Sequence, residues 1–389
     1  MPAPSLSAPR SASAVVNLFA YNGLVIGVYA ASLAALRERL GLDATGIAVL
    51  LVAAGLAAIT GMQVGGRLSD RIGARRIALA CLFPLLIGLL LAGFAVNYPM
   101  LIAGGLLLGV GNGGIDVSMN AIGVQVEATR PKPIMSFFHG MWSVGNFSGA
   151  ALVLLASLAW PSAPVQAAVL VATAVGVASI AAALRITPET AVVNHVDHTG
   201  TKAPIPRWAY LLGLMAIAFG LGEGTAMDWS GLHVTEVAGI PAAQGSVAVT
   251  VVAGFMVAIR LLGDALVARY GRRAVVRFGG GCAALGYLIT ALVTPLPALL
   301  IGWALVGFGV GMIAPQVYAV AGHAAGGRGL AVVVTFGYAT FLSGPAVIGF
   351  LAGQFGLQQT MLVPAVLLAA LPFLAAVMPR ETKGATAEA

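Results

Sequence analysis

Twelve long apolar stretches constrain what this chain can fold into. Each has close to the ~20 residues that a helix needs to cross the hydrocarbon core of a bilayer. Apolar residues make up 59% of the chain and charged residues only 8%, a composition that excludes a water-soluble domain with a polar surface. The stretches lie roughly at 13–36, 46–65, 77–95, 99–122, 134–157, 163–184, 208–232, 244–267, 274–293, 297–322, 329–352 and 359–378.

These stretches are expected to be helices rather than strands. They are continuously apolar, whereas the strands of a membrane β-barrel alternate between apolar and polar residues. A helix also satisfies its backbone hydrogen bonds within one segment, as a bilayer requires. The first stretch, from about Ser13, is too long for the core of a signal peptide and is expected to stay in the mature protein. We therefore predict an all-α membrane protein with twelve transmembrane helices.

The basic residues are distributed unevenly between the predicted loops. With the N-terminus in the cytoplasm, the opposite side receives only Arg37 and Arg39, and the other loop Lys and Arg residues fall on the cytoplasmic side. This asymmetry follows the positive-inside rule. It predicts two cytoplasmic termini and a location in a bacterial inner membrane. It also explains the net charge of +7 without a nucleic-acid partner.

One long polar segment divides the chain. It predicts an N-terminal six-helix bundle at 1–184, a cytoplasmic linker at 185–207 and a C-terminal six-helix bundle at 208–389. His195 and His198 in the linker have metal-ligand spacing, but no Cys or further His lies nearby, so a solvated linker is favoured over a metal site. We expect neither a metal nor a cofactor.

An internal repeat supports this division. Arg71 and Gly73, after predicted helix 2, match Arg269 and Gly271, after predicted helix 8, at an offset of 198 residues. The same offset carries a glycine triplet of helix 4 onto helix 10, namely Gly109, Gly111 and Gly113 onto Gly307, Gly309 and Gly311. Such duplication is common among transporters, whose substrate site lies near mid-membrane between the repeats.

The segment GGRLSDRIGARR, at Gly65–Arg76, resembles the helix 2–3 loop signature of the major facilitator superfamily. A weaker copy, RLLGDALVARYGRR, lies at Arg260–Arg273, with Ala268 in place of the expected Asp. With twelve helices and a central linker, the resemblance covers nearly the whole chain. It implies two six-helix bundles and a transport function.

Three further segments resemble the branch of bacterial sugar permeases of the fucose-permease type. They are GGIDVSMNAIGVQVE in and after helix 4, FFHGMWSVGN in helix 5 and GEGTAMDWS in helix 7. Asp116 and Asn120 fall at the spacing of an acid and an amide in that branch, so the resemblance implies proton coupling. The chain departs from the sugar-permease pattern in one respect, because helix 1 has no acid. The sequence signatures of drug antiporters are absent from the chain.

Helix 4 carries the clearest polar pattern. Asn112, Asp116 and Asn120 recur every four residues and form one stripe on an otherwise apolar helix. Polar groups at membrane depth are costly unless they face a cavity or a partner. We predict that the stripe lines the substrate cavity and that Asp116 couples transport to protons, and we keep helix–helix hydrogen bonding as the alternative.

Helix 5 places His139 and Asn146 on one face, with Trp142 beside them. His139 and Asp116 are expected at similar depth, so the pair forms either a protonation switch or a static hydrogen bond. We predict that His139, Trp142 and Asn146 bind the substrate and that His139 also takes part in proton coupling.

Helix 7 contributes two acids that point in different directions. Glu223 is predicted to face the cavity, bind substrate and take part in proton coupling, whereas Asp228 is placed near the outer gate. An offset slightly longer than that of the loop signatures sets Asn22 of helix 1 opposite Glu223, which predicts a symmetric pair and makes Asn22 a candidate substrate ligand. Further candidate ligands are Gln316 and Tyr338, for which packing is the alternative role.

The loop signatures are assigned to gating rather than to substrate binding. A carboxylate at the cytoplasmic mouth forms charge-assisted bonds that hold one state closed and break in the other. In the second half, Arg260 and Asp264 are spaced to pair within their helix. The gating candidates are Asp70, Arg71, Arg75, Arg76, Asp228, Arg260, Asp264 and Arg269.

These features predict a secondary active transporter that moves a small polar solute, with a sugar favoured, by alternating access. The expected partners are that solute, a proton and membrane lipid, and the expected state is a monomer. Sodium is a second possible coupling ion, since carboxylate and amide oxygens suit hard cations. The alternatives are an exporter of amphipathic compounds and a non-transporting sensor with the same fold. No nucleophile, metal cluster or phosphate loop indicates an enzyme.

Overall fold

The protein, seen in a computed structural model, is described over residues 8–128, 134–184 and 207–378. Within these ranges it is helical and contains twelve segments long and apolar enough to span a bilayer. The prediction of twelve helices is therefore confirmed. The first nine helices correspond one to one with the prediction. They are α1 (Ala8–Leu40), α2 (Ala44–Ile72), α3 (Ala74–Gly93), α4 (Tyr98–Ala128), α5 (Met135–Ala159), α6 (Pro164–Ala183), α7 (Arg207–Ala238), α8 (Ser246–Tyr270) and α9 (Arg272–Leu292).

The predicted loop between helices 10 and 11 is instead helical. Helical backbone runs from Leu296 to Phe355 as α10. It does not run straight, because a Cβ on Gly337 would lie 2.8 Å from the Tyr318 hydroxyl oxygen, whereas 19 residues of straight helix span about 28 Å. The helix therefore bends back on itself in a glycine-rich segment, as glycines permit.

Two candidate membrane spans form the arms of α10. The first arm is Leu296–Ala321 and the second arm is Thr335–Phe355. The last predicted helix is divided into three short α-helices and a final 3-10 turn at Ala375–Val377, which together span Leu357–Val377. The three helices are α11 (Leu357–Thr360), α12 (Leu362–Ala369) and α13 (Leu371–Leu374).

The chain forms two compact units. The first comprises residues 1–198 with 242–250, and the second comprises 199–241 with 251–389. Both units expose large apolar side chains, for example Leu158 at 66% and Phe373 at 79%. Apolar surface on this scale is unfavourable in water and is expected where lipid is the solvent.

Glycines set the close packing of α4 against its neighbours. A Cβ on Gly109 or Gly113 would clash with the backbone of Ala54 or Ala58 in α2. On the other side of α4, Gly111 packs against the backbone of Leu85 in α3. Small residues at such contacts let helix backbones approach, which is how membrane helices gain packing energy.

The same contacts recur in the second unit at the offset of the sequence repeat. Corresponding glycines touch corresponding partners, so the duplication extends from sequence to packing. The matched pairs are Gly109–Ala54 with Gly307–Val252, Gly111–Leu85 with Gly309–Ala283, Gly113–Ala58 with Gly311–Met256, and Gly88–Leu108 with Gly286–Val306.

The two loop signatures form matching turns. Gly73, between α2 and α3, has φ +93°, and Gly271, between α8 and α9, has φ +79°. Backbone of this kind is open to glycine and strained for other residues. The N–H of Gly73 donates to the carbonyl of Ser69, and the N–H of Gly271 donates to that of Val267. The turn glycines thus explain why the signature repeats.

Candidate functional site

The site in the first unit begins with the contact between α1 and α5. A Cβ on Gly23 or Gly27 would overlap the backbone of Trp142 or Asn146. From the opposite side, Gly145 packs on the backbone of Ala20. The two helices are therefore held at the shortest spacing that their backbones allow, with their polar side chains next to one another.

Asn22 joins three helices by hydrogen bonds. Trp142 Nε1 of α5 donates to Asn22 Oδ1 at 2.7 Å, and Asn22 Nδ2 donates to Asn112 Oδ1 of α4 at 2.8 Å. Because the indole N–H only donates, it fixes which end of the amide faces Trp142 and leaves the NH₂ group for Asn112. The structure thus brings together three of the predicted substrate ligands.

The polar stripe of α4 lies on an accessible face of the first unit. Asn112, Asp116 and Asn120 are each partly exposed, whereas Ile115 and Met119 between them are buried. Asn120 Nδ2 donates to the Asp116 carbonyl at 2.7 Å and lies 3.4 Å from its carboxylate. The stripe therefore offers amide groups and one carboxylate on the same face.

The predicted pair of Asp116 and His139 stays a prediction. The His139 ring packs edge-on against Phe19 of α1, with 5.2 Å between ring centroids, and α4 and α5 are connected mainly through α1. One turn beyond Trp142, Asn146 is buried, and its Nδ2 has no hydrogen-bond partner among the described residues.

The second unit contains an ion pair between α7 and α8. Arg260 Nη2 lies 2.9 Å from Glu223 Oε1, and these side chains are 22% and 16% exposed. Arg260 thus has a partner on another helix, and its predicted pairing with Asp264, whose side chain lies outside the described part of the chain, stays a prediction. Glu223 thus has a counter-charge within a membrane span, which offsets the cost of placing a carboxylate there.

Removal of one charge of this ion pair should destabilise the protein more than removal of both charges. We expect Arg260→Met to cost about 3 kcal/mol, since the Glu223 carboxylate would be left partly buried and uncompensated. The double variant Arg260→Met/Glu223→Gln should recover most of the loss because neither charge remains. Thermal unfolding of the purified protein in detergent measures both, and a double variant no more stable than Arg260→Met contradicts the pairing.

The packing of α7 shows that Asn22 and Glu223 are not equivalent positions of the internal repeat, so the prediction of a symmetric pair is wrong. Asn22 bonds to Trp142 in the first unit. The offset of the loop signatures carries these two residues onto Gly220 and Thr340, which lie beside one another in the second unit. That offset therefore holds in α1 and α7 as well. Asn22 corresponds to Gly220, and Glu223 has no polar counterpart in α1.

Several candidates lie at the ends of helices near the two signature turns. Arg75 donates to the Leu184 carbonyl at the end of α6 at 2.8 Å, and Arg272 donates to Gln316 Oε1 at 2.9 Å. Gln316 is therefore bonded to the first residue of α9, and its role as a substrate ligand stays a prediction. The Arg269 guanidinium lies 5.4 Å from the centre of the Tyr270 ring.

The gating assignments also stay predictions. Arg71 and Arg76 are exposed. The side chains of Asp70, Asp264 and Tyr338 lie outside the part of the chain that the structure describes.

Sequence reasoning missed a polar cluster in the second unit. His233 is fully buried on α7, edge-on to Trp303 at 5.4 Å between ring centroids and close to the backbone of Thr290 in α9. Tyr287 of α9 donates to the Gly222 carbonyl. A signal was available, because an ionisable residue in an apolar helix is a functional candidate by default.

The class of this protein follows from the family to which its sequence belongs. The model of the Major Facilitator Superfamily matches residues 15–325 and 212–388, together most of the chain. The chain belongs to this superfamily. One relative is y4wD of Sinorhizobium fredii, described as an uncharacterised transporter. It is 31% identical to the present chain over 364 residues, which cover 92% of this chain and 96% of the relative. The protein is thus a multi-pass membrane transporter of the superfamily.

Solved structures of other superfamily members show the same fold. The nucleoside transporter NupG is 13% identical, with a TM-score of 0.76 over 94% of this chain and 99% of its own. The Escherichia coli fucose:proton symporter FucP is 16% identical, with a TM-score of 0.62 over 96% of this chain and 100% of its own. At these identities the likeness concerns fold alone.

Proposed function

We propose that this transporter moves a small hydroxyl-rich solute, such as a sugar, across a bacterial inner membrane by alternating access and couples the movement to protons. The observation that carries the proposal is the accessible stripe of Asn112, Asp116 and Asn120, which Asn22 connects to Trp142. Amide side chains donate and accept hydrogen bonds at once, as sugar hydroxyls require.

The coupling role is assigned to Asp116 because it is the one carboxylate of the α4 stripe and lies beside Asn120. Two similar folds belong to carriers of hydroxyl-rich compounds, a nucleoside transporter and a fucose:proton symporter. Glu223 is proposed to be the proton-coupling residue of the second unit. Its carboxylate has two states, one paired with Arg260 and one protonated and released from Arg260. Alternating access follows from the duplicated build, in which two similar bundles rock about a midplane site.

The proposed topology has both termini in the cytoplasm. It rests on the distribution of Lys and Arg, of which the opposite side carries only Arg37 and Arg39, in the last turn of α1. Both bond to carbonyls near helix ends, Arg37 to Leu42 and Arg39 to Gly93.

Solute binding by the stripe is testable on the purified transporter. We expect one class in a panel of aldohexoses, 6-deoxyhexoses and nucleosides to bind in calorimetric titrations. Asn112→Leu and Asn120→Leu should each weaken binding about tenfold or more, the typical effect of losing a hydrogen-bonding group at a desolvated site. Ser148→Ala is the control, because Ser148 of α5 is exposed and bonds only its own helix.

Two results would overturn the proposal. One is a leucine variant that binds the solute as tightly as the wild type. The other is binding of amphipathic compounds in place of every member of the panel, which would favour an exporter.

A further inference from the structure

A small cavity lies between α7 and the second arm of α10, within the second unit. Asp228 and Thr225 line it from α7, and Thr340, Phe341 and Pro345 line it from the second arm. All of these residues lie in candidate membrane spans. A carboxylate at such a depth requires a counter-charge or a proton.

Oxygen-bearing side chains form part of the cavity wall, beside apolar groups such as Leu221 and Trp229. Thr225 is 2% exposed, and its hydroxyl lies beside the phenol of Tyr287 in α9. The Thr340 hydroxyl donates its proton to the Phe336 carbonyl at 2.8 Å, which leaves its lone pairs free to accept. Because Asp228 and Thr225 are three residues apart, they lie on one face of α7.

Pro345 frees one more oxygen at this place. A proline inside a helix has no N–H to donate to the carbonyl four residues earlier, here that of Phe341. The carbonyl of a helical residue points toward the residue four positions on, and Phe341 and Pro345 both line the cavity. The wall therefore combines one carboxylate, two hydroxyls and a carbonyl without its helical partner.

The duplicated first unit has no equivalent of this set. At the offset of the sequence repeat, Thr225 corresponds to Gly27 and Asp228 to Ala30. Gly27 packs directly on the backbone of Asn146, whose counterpart in the second arm is Gly344. In the first unit a glycine thus allows the two helices to touch, whereas the second unit has a hydroxyl and a carboxylate at the corresponding positions.

We propose that the cavity is a sodium-binding site formed by Asp228, Thr225, Thr340 and the Phe341 carbonyl. Hard cations take carboxylate, hydroxyl and carbonyl oxygens as ligands. A monovalent ion neutralises Asp228, whereas a divalent ion leaves an extra positive charge at membrane depth. No basic side chain is present among the described residues that line the cavity. The site adds a second cation to the proposed proton-coupled function and does not depend on it.

Direct binding of radioactive sodium to the purified transporter tests this site without any transport assay. We expect saturable binding of ²²Na⁺ in choline chloride at constant ionic strength. Asp228→Asn should raise the half-saturating concentration at least about tenfold, since affinity at such sites follows ligand charge. Thr225→Val keeps the shape of the side chain and should weaken binding by a smaller factor. Ser343→Ala should bind as the wild type, because Ser343 is exposed and bonds Ala339 of its own helix.

Absence of saturable ²²Na⁺ binding to the folded wild type would overturn the proposal and leave Asp228 as a protonated group. Equal binding by Asp228→Asn and wild type would also overturn it, by placing sodium elsewhere. If Asp228→Asn does not fold, the sodium affinity of Thr225→Val is compared with that of Ser343→Ala. Equal affinities of these two variants would overturn the proposal. A failure of sugar binding with intact sodium binding would reject the proposed function alone.

Discussion

Substitution of Gly27 by leucine should abolish production of the folded transporter. Gly27 of α1 packs directly on the backbone of Asn146 in α5, so a larger side chain has to push two helix backbones apart. Overpacking that side chains can absorb costs about 1–3 kcal/mol. A backbone clash exceeds that range and is large against a total stability of about 5–15 kcal/mol.

The matched control is Gly140→Leu. Gly140 lies on α5, in the same pair of helices, but a Cβ placed there meets no other atom within 4 Å. The yield of monodisperse protein in size-exclusion chromatography measures both variants. We expect a loss of more than about tenfold for Gly27→Leu, which corresponds to more than about 1.4 kcal/mol, and a yield close to wild type for Gly140→Leu. Similar yields for the two variants would contradict the α1–α5 packing.

Substitution of Asp116 by asparagine should abolish proton-driven accumulation. An imposed gradient of two pH units is worth about 2.7 kcal/mol per proton, which supports about 100-fold accumulation by a carrier of one proton per solute. The asparagine keeps the size of the side chain but has no proton to exchange. The internal concentration should therefore level off near the external one.

Exchange separates this loss of coupling from a loss of folding. Asp116→Asn proteoliposomes that contain unlabelled solute should still exchange it for labelled solute, because exchange requires no net proton movement. Accumulation equal to that of the wild type would exclude Asp116 as the coupling residue.

Periodicity and spacing predict much of this fold. The apolar stretches mark the twelve spans, and the recurrence of Asn112, Asp116 and Asn120 every four residues places them on one face whatever the helix packs against. The internal repeat likewise predicts the paired turns at Gly73 and Gly271 and the matching glycine contacts of the two units.

Side-chain partners on neighbouring helices are much harder to predict. The structure pairs Arg260 with Glu223, 37 residues away in the chain, a partner that sequence spacing did not indicate. That pairing depends on how α7 is rotated against α8, which hydrophobic periodicity leaves open because both helices are apolar on most sides. The Asn22 contacts required the same information about α1, α4 and α5.

The bend of α10 also escaped the sequence reasoning. Glycine-rich segments between apolar stretches usually indicate loops, but here helical backbone continues through the reversal between Tyr318 and Gly337. Glycine has both properties, since it permits a turn and also permits a helix to bend without a clash. The sequence alone does not distinguish the two outcomes.

The most direct test of the proposed function is uptake into proteoliposomes with and without an inward proton gradient. The assay uses labelled sugars, sugar acids, nucleosides and amino acids in two parallel buffers, one without sodium and one with equal sodium on both sides of the membrane, with protein-free liposomes as the blank. The account predicts that a hydroxyl-rich solute accumulates and that collapsing the gradient with an ionophore returns it to the external concentration. Uptake that is identical with and without the gradient would contradict proton coupling, and no uptake of any solute in either buffer would contradict the proposed transport of a small polar solute.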